Sequence, residues 1–436
     1  MIHRHITELI GGTPLLRLDP DVHGLPHVEL YAKLESHNPF GSVKDRVAWG
    51  MLREELDRLR AEGRSLIEAS SGNTAKALRV LGGLYGIPLR AVTNRIRVDE
   101  VRELLQVLGT EIVELPGLSE CPDPHAPNDV GAVIEQTVDQ APDRWFHPSQ
   151  YTNEKNLDAH FHGTGREIHD DLAAAGVRHV DYLIGGLGTT GSTRGTAAFL
   201  ATRHPGLRTI GVVSGRDDFV PGIRSEREMW EVGLFRPEFY DEIVTVDSAR
   251  AVEATLGLVR GYGLLAGPTS GAGYAAALEV LGKAEPVPGR PLVAVLVVCD
   301  RLEPYLSYLR QRRPDLFGRA AAVAPETAPA APELDPAHLA ELDRAGRPVV
   351  VDTRGAMAYR IGHVPGALNL RDDQLDDLLA EGMPFPRSRP VVFVCPVGEV
   401  SRRFAARART AGYDAYSLAG GITAWRDGGF PLERDR

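Results

Sequence analysis

The chain has 436 residues, 43% hydrophobic and 25% charged, ordinary globular values with room for about two or three domains at roughly 150 residues each. Its 49 basic and 59 acidic side chains leave a net charge of −10 with no basic block, which argues against nucleic acid or an anionic membrane as the main partner. No signal pattern opens the chain, its most apolar run, "PLVAVLVVC", is too short to cross a bilayer, and three cysteines (Cys121, Cys299, Cys395) make no disulfide framework, so a soluble, cytoplasmic protein with free thiols and no metal site is expected.

Taken in chain order, short apolar runs alternate with helix-period segments. "NPFGSVKDR" (38–46) is a turn opening a helix expected to run to about Arg60. "SLIEAS", "PLRAVTN" and "TEIVELP" read as strands, with helices "TAKALRVLGGLYG" and "VDEVRELLQVLG" between them. The alternation resumes with the strand "VDYLIGGLG", the helix "TRGTAAFLATRH", the strands "RTIGVVS" and "EIVTVD", the helix "SARAVEATLGLVRGYG" and the strand "LVAVLVVC". Residues 319–336 are Ala/Pro-rich without an apolar period and read as a semi-extended linker. Beyond it the pattern repeats in "RPVVVDTR", "RPVVFVC" and the helical "SRRFAARARTAG". Strand–helix alternation predicts an α/β fold of parallel sheets covered by helices. Three segments follow: residues 1–318, the linker 319–336, and a small α/β domain at 337–436.

In such sheets ligands sit at the carboxyl ends of strands near helix N-termini, and four Gly- or Ser-rich turns fall there: 38–46, 70–74, 185–192 and 267–273. In the first, Ser42 and Asp45 have the spacing of a capping box, and Lys44 is either a first-turn surface lysine or a desolvated amine able to attack a carbonyl carbon. "GGLGTTGSTRG" follows an apolar strand and opens a helix, so its backbone N–H groups suit a phosphate. Asn73 in "SSGNTAKAL" can hydrogen-bond a ring oxygen. Thr269 in "GPTSGAGYAAA" is either a plain helix cap or a hydroxyl facing a pyridine nitrogen.

These motifs, "NPFGSVKDR", "SSGNT", "GLGTTGS" and "GPTSGA", with "GGTPLLRL" and "QYTNEKNLDAHFHGTGREI", occur in the order of the cysteine synthase family, and residues 5 to about 305 resemble it. The resemblance implies a two-subdomain, fold-type II enzyme using pyridoxal 5'-phosphate. It makes Lys44 the internal aldimine lysine and general base, Asn73 the contact to the cofactor's 3-oxygen, and Gly188, Thr189, Thr190, Gly191 and Ser192 the phosphate cradle. Thr269 then faces the pyridine nitrogen, while Ser70, Ser71, Gly72, Thr74 and Gln150 bind the substrate carboxylate. Three positions depart from the pattern: Thr190 stands where glycine is usual, and Ala75 and Lys76 stand where glycine and an apolar residue are usual, which points to an altered substrate-side pocket. Arg224 lies where phosphoserine-using members carry arginine; its alternative is a surface pair with Glu226 or Glu228.

Cys395 ends an apolar strand before a turn and helix, which suits either a buried strand-end cysteine or a helix-activated nucleophile. "VDTRGAMAYRIGHVPGALNL" and "LAGGITAWRDGGFPL" resemble the rhodanese family over roughly 337–436. That resemblance makes Cys395 the persulfide carrier in a six-residue loop, with Asp352, Arg354 and His363 at structural or near-site positions. Pro396 and Val400 stand where the loop usually has arginines and Glu399 adds negative charge, leaving Arg402 and Arg403 to compensate from the helix. The combined expectation is β-replacement on an O-activated serine, O-phosphoserine before O-acetylserine, through an aminoacrylate, with sulfur delivered through Cys395, a persulfide donor or a docked sulfur-carrier protein. A homodimer is implied. The alternatives are an amine nucleophile giving a diaminopropionate, β-elimination, and a scaffold or sensor with one inert half.

Overall fold

The computed structural model describes residues 2–94, 96–115, 130–215, 218–226, 229, 232–318, 331–345, 348–370, 375, 378–379 and 382–434. Cys121, Glu228 and most of the expected linker (319–330) lie outside these residues. The chain divides into two units, Met1–Val113 with Ile134–Phe317, and Glu114–Val133 with Gly318–Arg436.

The first unit holds β1 (Leu15–Arg17), β2 (Val28–Leu34), β3 (Ser65–Ala69), β4 (Leu89–Thr93), β5 (Glu111–Glu114), β6 (Trp145–Phe146), β7 (Tyr182–Gly186), β8 (Arg208–Val213), β9 (Glu242–Thr245) and β10 (Leu292–Val298). They form a six-stranded sheet, β1-β2-β10-β7-β8-β9, and a four-stranded sheet, β5-β4-β3-β6. The larger sheet is parallel except where β1 pairs antiparallel with β2. Every residue of β10 is buried. Leu292, Ala294, Leu296 and Val298 enter one core, and Val293, Val295 and Val297 enter the core on the opposite face. That two-sided burial is why β10 reads as an unbroken apolar run. The smaller sheet is packed by the Lys44–Leu52 and Asn73–Leu84 helices through Val47, Ala48, Met51, Ala77, Leu78 and Leu81.

The strands and helices expected from periodicity are present, with one difference. The helix expected to reach Arg60 is two, Lys44–Leu52 and Leu56–Glu62. A tight turn, with the Glu55 N–H donating to the Leu52 carbonyl at 2.8 Å, re-aims the chain so that Leu52, Leu56 and Leu59 all bury in one core.

The second unit is a five-stranded parallel sheet, β11-β15-β14-β12-β13, of β11 (Glu333–Leu334), β12 (Val349–Asp352), β13 (Leu368–Asn369), β14 (Val391–Val394) and β15 (Ala415–Leu418). Strand β11 falls within the stretch read as linker and covers the edge of β15, with Glu333 opposite Ser417. Val391 and Phe393 face one core of this unit, Val392 and Val394 the other. Among the described residues no helix is long and apolar enough to cross a membrane.

One buried ion network ties the first unit's elements to the start of the Lys44–Leu52 helix. Arg46 donates to Glu35 from Nε (2.7 Å) and Nη2 (3.0 Å), and to Glu167 from Nη1 and Nη2 (both 2.6 Å). Fully buried Lys33 reaches Glu167 at 2.9 Å and the Thr13 carbonyl at 2.5 Å. Burial alone would raise the Glu167 carboxyl, but Arg46 and Lys33 outweigh it and hold it down at about 2. A depressed acid stabilises the fold fully above its unfolded value of about 4.5 and loses that contribution as pH falls through the folded value. Urea unfolding of the native chain and Glu167→Gln should therefore differ by roughly 3 kcal/mol at pH 7. The gap should close as the pH falls from about 4.5 towards 2; a gap that does not change across that window would refute the assignment.

Candidate active site

The 38–46 turn is fastened to the carboxyl end of β10. Val43 N–H donates to the Cys299 carbonyl at 2.8 Å, and Ser42 pairs with Asp300. Gly41 takes φ +85°, a left-handed turn that glycine adopts without a Cβ clash. The expected capping box is rearranged. Ser42 Oγ accepts the Lys44 N–H (3.3 Å) and donates to Asp45 (3.2 Å), and the Asp45 carboxylate reaches back to the Phe40 N–H at 2.6 Å. Burial pushes Asp45 up to about 7. Burial also lowers the Lys44 amine, against an opposing pull from Cys299 and Asp300. Lys44 is thus closer to its neutral, nucleophilic form than a surface lysine.

The 70–74 turn leaves β3 and starts the Asn73–Leu84 helix. Ser70 Oγ accepts the Ala75 N–H at 3.0 Å, Thr74 Oγ1 donates to Gln150 Oε1 at 2.6 Å, and Gln150 Nε2 donates to the Ala69 carbonyl at 2.8 Å. Ser71 is exposed and Gly72 half-buried. Asn73 donates to Asp300 Oδ2 at 2.6 Å, and the Tyr305 hydroxyl donates to the same oxygen. Asp300 was not singled out from the sequence; its signal is an acid directly after the most apolar strand.

Between β7 and the Gly191–Ala201 helix, residues 188–192 form the third turn. Among the described residues their N–H groups have no backbone acceptor, whereas Leu187 and Arg194 on either side do. Gly188 and Gly191 have no room for a side chain. A Cβ would lie 2.8 Å from the Gly222 carbonyl oxygen at the first and 2.0 Å from Asn156 Oδ1 at the second. Thr190 takes φ +66°, the left-handed region that favours glycine, at a cost of about 1–2 kcal/mol. Its buried Oγ1 has no hydrogen-bond partner among the described residues. Asn156 holds the turn by donating to the Gln150 carbonyl (2.8 Å) and Thr189 Oγ1 (2.9 Å). It lies in a segment whose family likeness was seen, but its own role had no local signature.

Thr269 sits buried at the start of the Pro268–Lys283 helix and donates its hydroxyl to the Pro221 carbonyl. Ser270 Oγ accepts the Cys299 N–H at 3.0 Å. The chain after Pro221 brings Arg224 beside the third turn, its N–H on the Leu187 carbonyl (2.8 Å) and its guanidinium 5.1 Å from the Tyr151 ring centroid. Glu226 instead accepts the Thr245 hydroxyl. All four turns therefore meet in the first unit. The free N–H groups of 188–192, the unpartnered Thr190 hydroxyl at a helix start and the low-affinity Lys44 amine fit a phosphate-bearing aldehyde. Lys44 would hold its carbonyl carbon, residues 188–192 its phosphate, and Asn73 and Thr269 its ring.

Cys395 is in the second unit. It is fully buried at the end of β14, and its Sγ accepts the Gly398 N–H (3.1 Å) and the Ser401 hydroxyl (3.3 Å). Ser401 is in turn 2.8 Å from Ser417. Asp352 and Arg354 form a buried pair at 2.7 Å, and Arg354 also holds the Gly362 carbonyl at 2.6 Å, ahead of His363, which stacks on Tyr359. Arg402 donates Nε to the Gly398 carbonyl at 3.2 Å and meets Glu333 at 3.4 Å, so it braces the loop through its backbone. Arg403 lies over the Phe404 ring.

Comparison with known proteins agrees with this geometry. The description "Pyridoxal-phosphate dependent enzyme" matches residues 6–300, and "Rhodanese-like domain" matches residues 335–427. The chain is 30% identical over 308 residues to the cysteine synthase of Aquifex aeolicus, covering 69% of this chain and 90% of that protein. It is 32% identical over 313 residues to the N-(2-amino-2-carboxyethyl)-L-glutamate synthase of Ralstonia nicotianae, covering 70% and 89%. The crystal structure of a cysteine synthase from Entamoeba histolytica superposes with a TM-score of 0.60 at 27% identity, covering 71% of this chain and 90% of that one. The chain belongs to the pyridoxal-phosphate-dependent enzyme family of the cysteine synthases and carries a rhodanese-like domain at its C-terminal end.

Proposed function

We propose that the protein is a cytoplasmic, homodimeric β-replacement enzyme acting on O-phosphoserine, with O-acetylserine second, and making cysteine from sulfur handled by its C-terminal domain. Pyridoxal phosphate, when bound, supplies the electron sink for charge left on the substrate's Cα. This chain's residues do the rest. Lys44 Nζ would take the proton from the substrate's Cα and return it after the nucleophile has bonded to Cβ. Ser70, Ser71, Gly72, Thr74 and Gln150 hold the substrate carboxylate, the Thr74–Gln150 bond fixing two of them in register. In this reading Arg224, whose guanidinium lies 5.1 Å from the Tyr151 ring centroid, takes a phosphate leaving group as a planar fork. The observation that carries the reading is the half-buried Lys44 amine, whose proton affinity burial lowers, in the same site as the N–H groups of 188–192 that have no backbone acceptor among the described residues.

Sulfur enters by one route: a small thiol takes the outer sulfur of a persulfide on Cys395, freeing the Cys395 thiolate, and a second thiol attacks the small persulfide so formed, giving a disulfide and releasing sulfide for attack at Cβ. The Gly398 N–H and Ser401 hydroxyl support negative charge on that sulfur in place of the missing loop arginines. A sulfur-carrier protein that bears a persulfide and passes its outer sulfur to the Cys395 thiolate, leaving as the free thiol, belongs to the same reading. The likeness to N-(2-amino-2-carboxyethyl)-L-glutamate synthase favours a second reading, in which an amine attacks Cβ.

The test supplies O-phosphoserine or O-acetylserine with sulfide, glutamate or ammonia and assays cysteine, diaminopropionate-type products and pyruvate. Cysteine from O-phosphoserine supports the reading; an amine adduct supports the second, and pyruvate alone removes both. With a persulfide donor and a thiol, Cys395→Ala should lose at least about tenfold in cysteine formation, and an undiminished rate would end the relay. Gly191→Ala forces a methyl into Asn156. It should weaken cofactor retention by at least about tenfold, roughly 1.4 kcal/mol, measured by absorbance after dialysis, and wild-type retention would contradict the assigned cradle.

A further inference from the structure

Asp300, two residues beyond β10, joins three of the site's four turns. Its backbone pairs with Ser42 of the first, and its carbonyl accepts the Gly267 N–H of the fourth at 3.1 Å. Its side chain turns to the second, where Oδ2 accepts hydrogen bonds from Asn73 Nδ2 at 2.6 Å and from the Tyr305 hydroxyl. Asn73 Nδ2 also lies 3.3 Å from the Tyr305 oxygen. Because Oδ2 and that oxygen are bonded to each other, both lie on one side of Nδ2, so they share one amide hydrogen and leave the second for another acceptor. The carboxyl group has its space because Gly267 carries no side chain: a Cβ there would stand 2.1 Å from Asp300 Oδ1 and 2.9 Å from the Tyr305 ring. Asp300 and Tyr305 are both buried, and Oδ1 has no hydrogen-bond partner among the described residues. A buried acid with one oxygen unpaired is costly to keep, which points to a task for the other.

We propose that Asp300 and Tyr305 are positioning residues for the cofactor: they hold the Asn73 amide so that its second N–H, and not its carbonyl oxygen, faces the ring's 3-oxygen. This rests on the reading of Asn73 as the contact to that oxygen. An asparagine amide is nearly symmetric in shape, and half a turn about its last side-chain bond exchanges donor for acceptor. The flipped amide would set its oxygen against Asp300 Oδ2, two acceptors at hydrogen-bond distance, and that contact is what excludes it. The Tyr305 hydroxyl, by donating to Oδ2, marks that oxygen as an acceptor. A donor facing the 3-oxygen favours its ionised form, whereas an acceptor there would favour the protonated one. Since Asp300 also pairs with Ser42, the group that orients the ring contact is fastened to the backbone that carries Lys44.

The test uses the full-length protein loaded with pyridoxal phosphate and reads two quantities. One is the cofactor's dissociation constant by equilibrium dialysis; the other is the balance of its absorbance bands, which differ for the ionised and the protonated ring oxygen. Asp300→Ala should weaken binding about five- to tenfold and shift the balance towards the protonated form. Tyr305→Phe keeps the buried ring and should shift the balance the same way by less, so it carries the test should Asp300→Ala not fold. Asn73→Ala should produce both changes, and Asp300→Ala added to it should then change neither further. Unchanged spectra in Asp300→Ala and Tyr305→Phe beside a changed one in Asn73→Ala overturn the proposal, as does a full Asp300→Ala effect that survives in the Asn73→Ala background. Wild-type binding and spectrum in Asn73→Ala would instead overturn the reading of Asn73 on which it rests.

Discussion

The site depends on Arg46, two residues past the lysine it serves. One guanidinium engages Glu35 and Glu167 together, and Lys33 closes the far side. Buried charges of this kind contribute little net stability when complete, but removing one member strands the rest at a cost of about 3–5 kcal/mol. The network therefore specifies position more than it adds stability. Because Arg46 and Lys44 share the first turn of one helix, fixing the guanidinium against β2 and the segment around Glu167 fixes where the amine can reach.

The 188–192 turn achieves the same end through shape. Gly188 and Gly191 permit backbone contacts with Gly222 and Asn156 that no side chain would allow. Thr190 accepts a left-handed conformation that costs a β-branched residue about 1–2 kcal/mol. Strain of that size persists where neighbours over-determine the backbone, and here Asn156 and the Thr193–Tyr240 pair do so. The hydroxyl that the substitution introduces is the part left without a partner, so the residue brings a polar group where the usual glycine has none.

Much of this was legible in the sequence because it is local. Two-sided burial of β10 produced a continuous apolar run, and the four turns announced themselves through glycine, serine and their place after strands. What was not legible is pairing at a distance. Glu167 meets Arg46 across 121 positions and Asp300 meets Asn73 across 227, and nothing local in the sequence assigns these residues to one another. The break after Leu52 escaped for a related reason: the stretch has good helix formers throughout, and only the packing of Leu56 and Leu59 on the other side of the turn demands it.

The two units apply one construction to different atoms. Each places its reactive group at the carboxyl end of a central parallel strand, beside a turn with left-handed glycine that opens a helix. At Lys44 burial lowers the amine's proton affinity against the pull of Cys299 and Asp300. At Cys395 the loop cations are absent and neutral donors, the Gly398 N–H and the Ser401–Ser417 hydroxyl pair, surround the sulfur instead. Neutral donors favour charge on sulfur without drawing in a free anion from solution, whereas arginines would do both. A buried sulfur so arranged is poorly suited to collecting small oxyanions from solution.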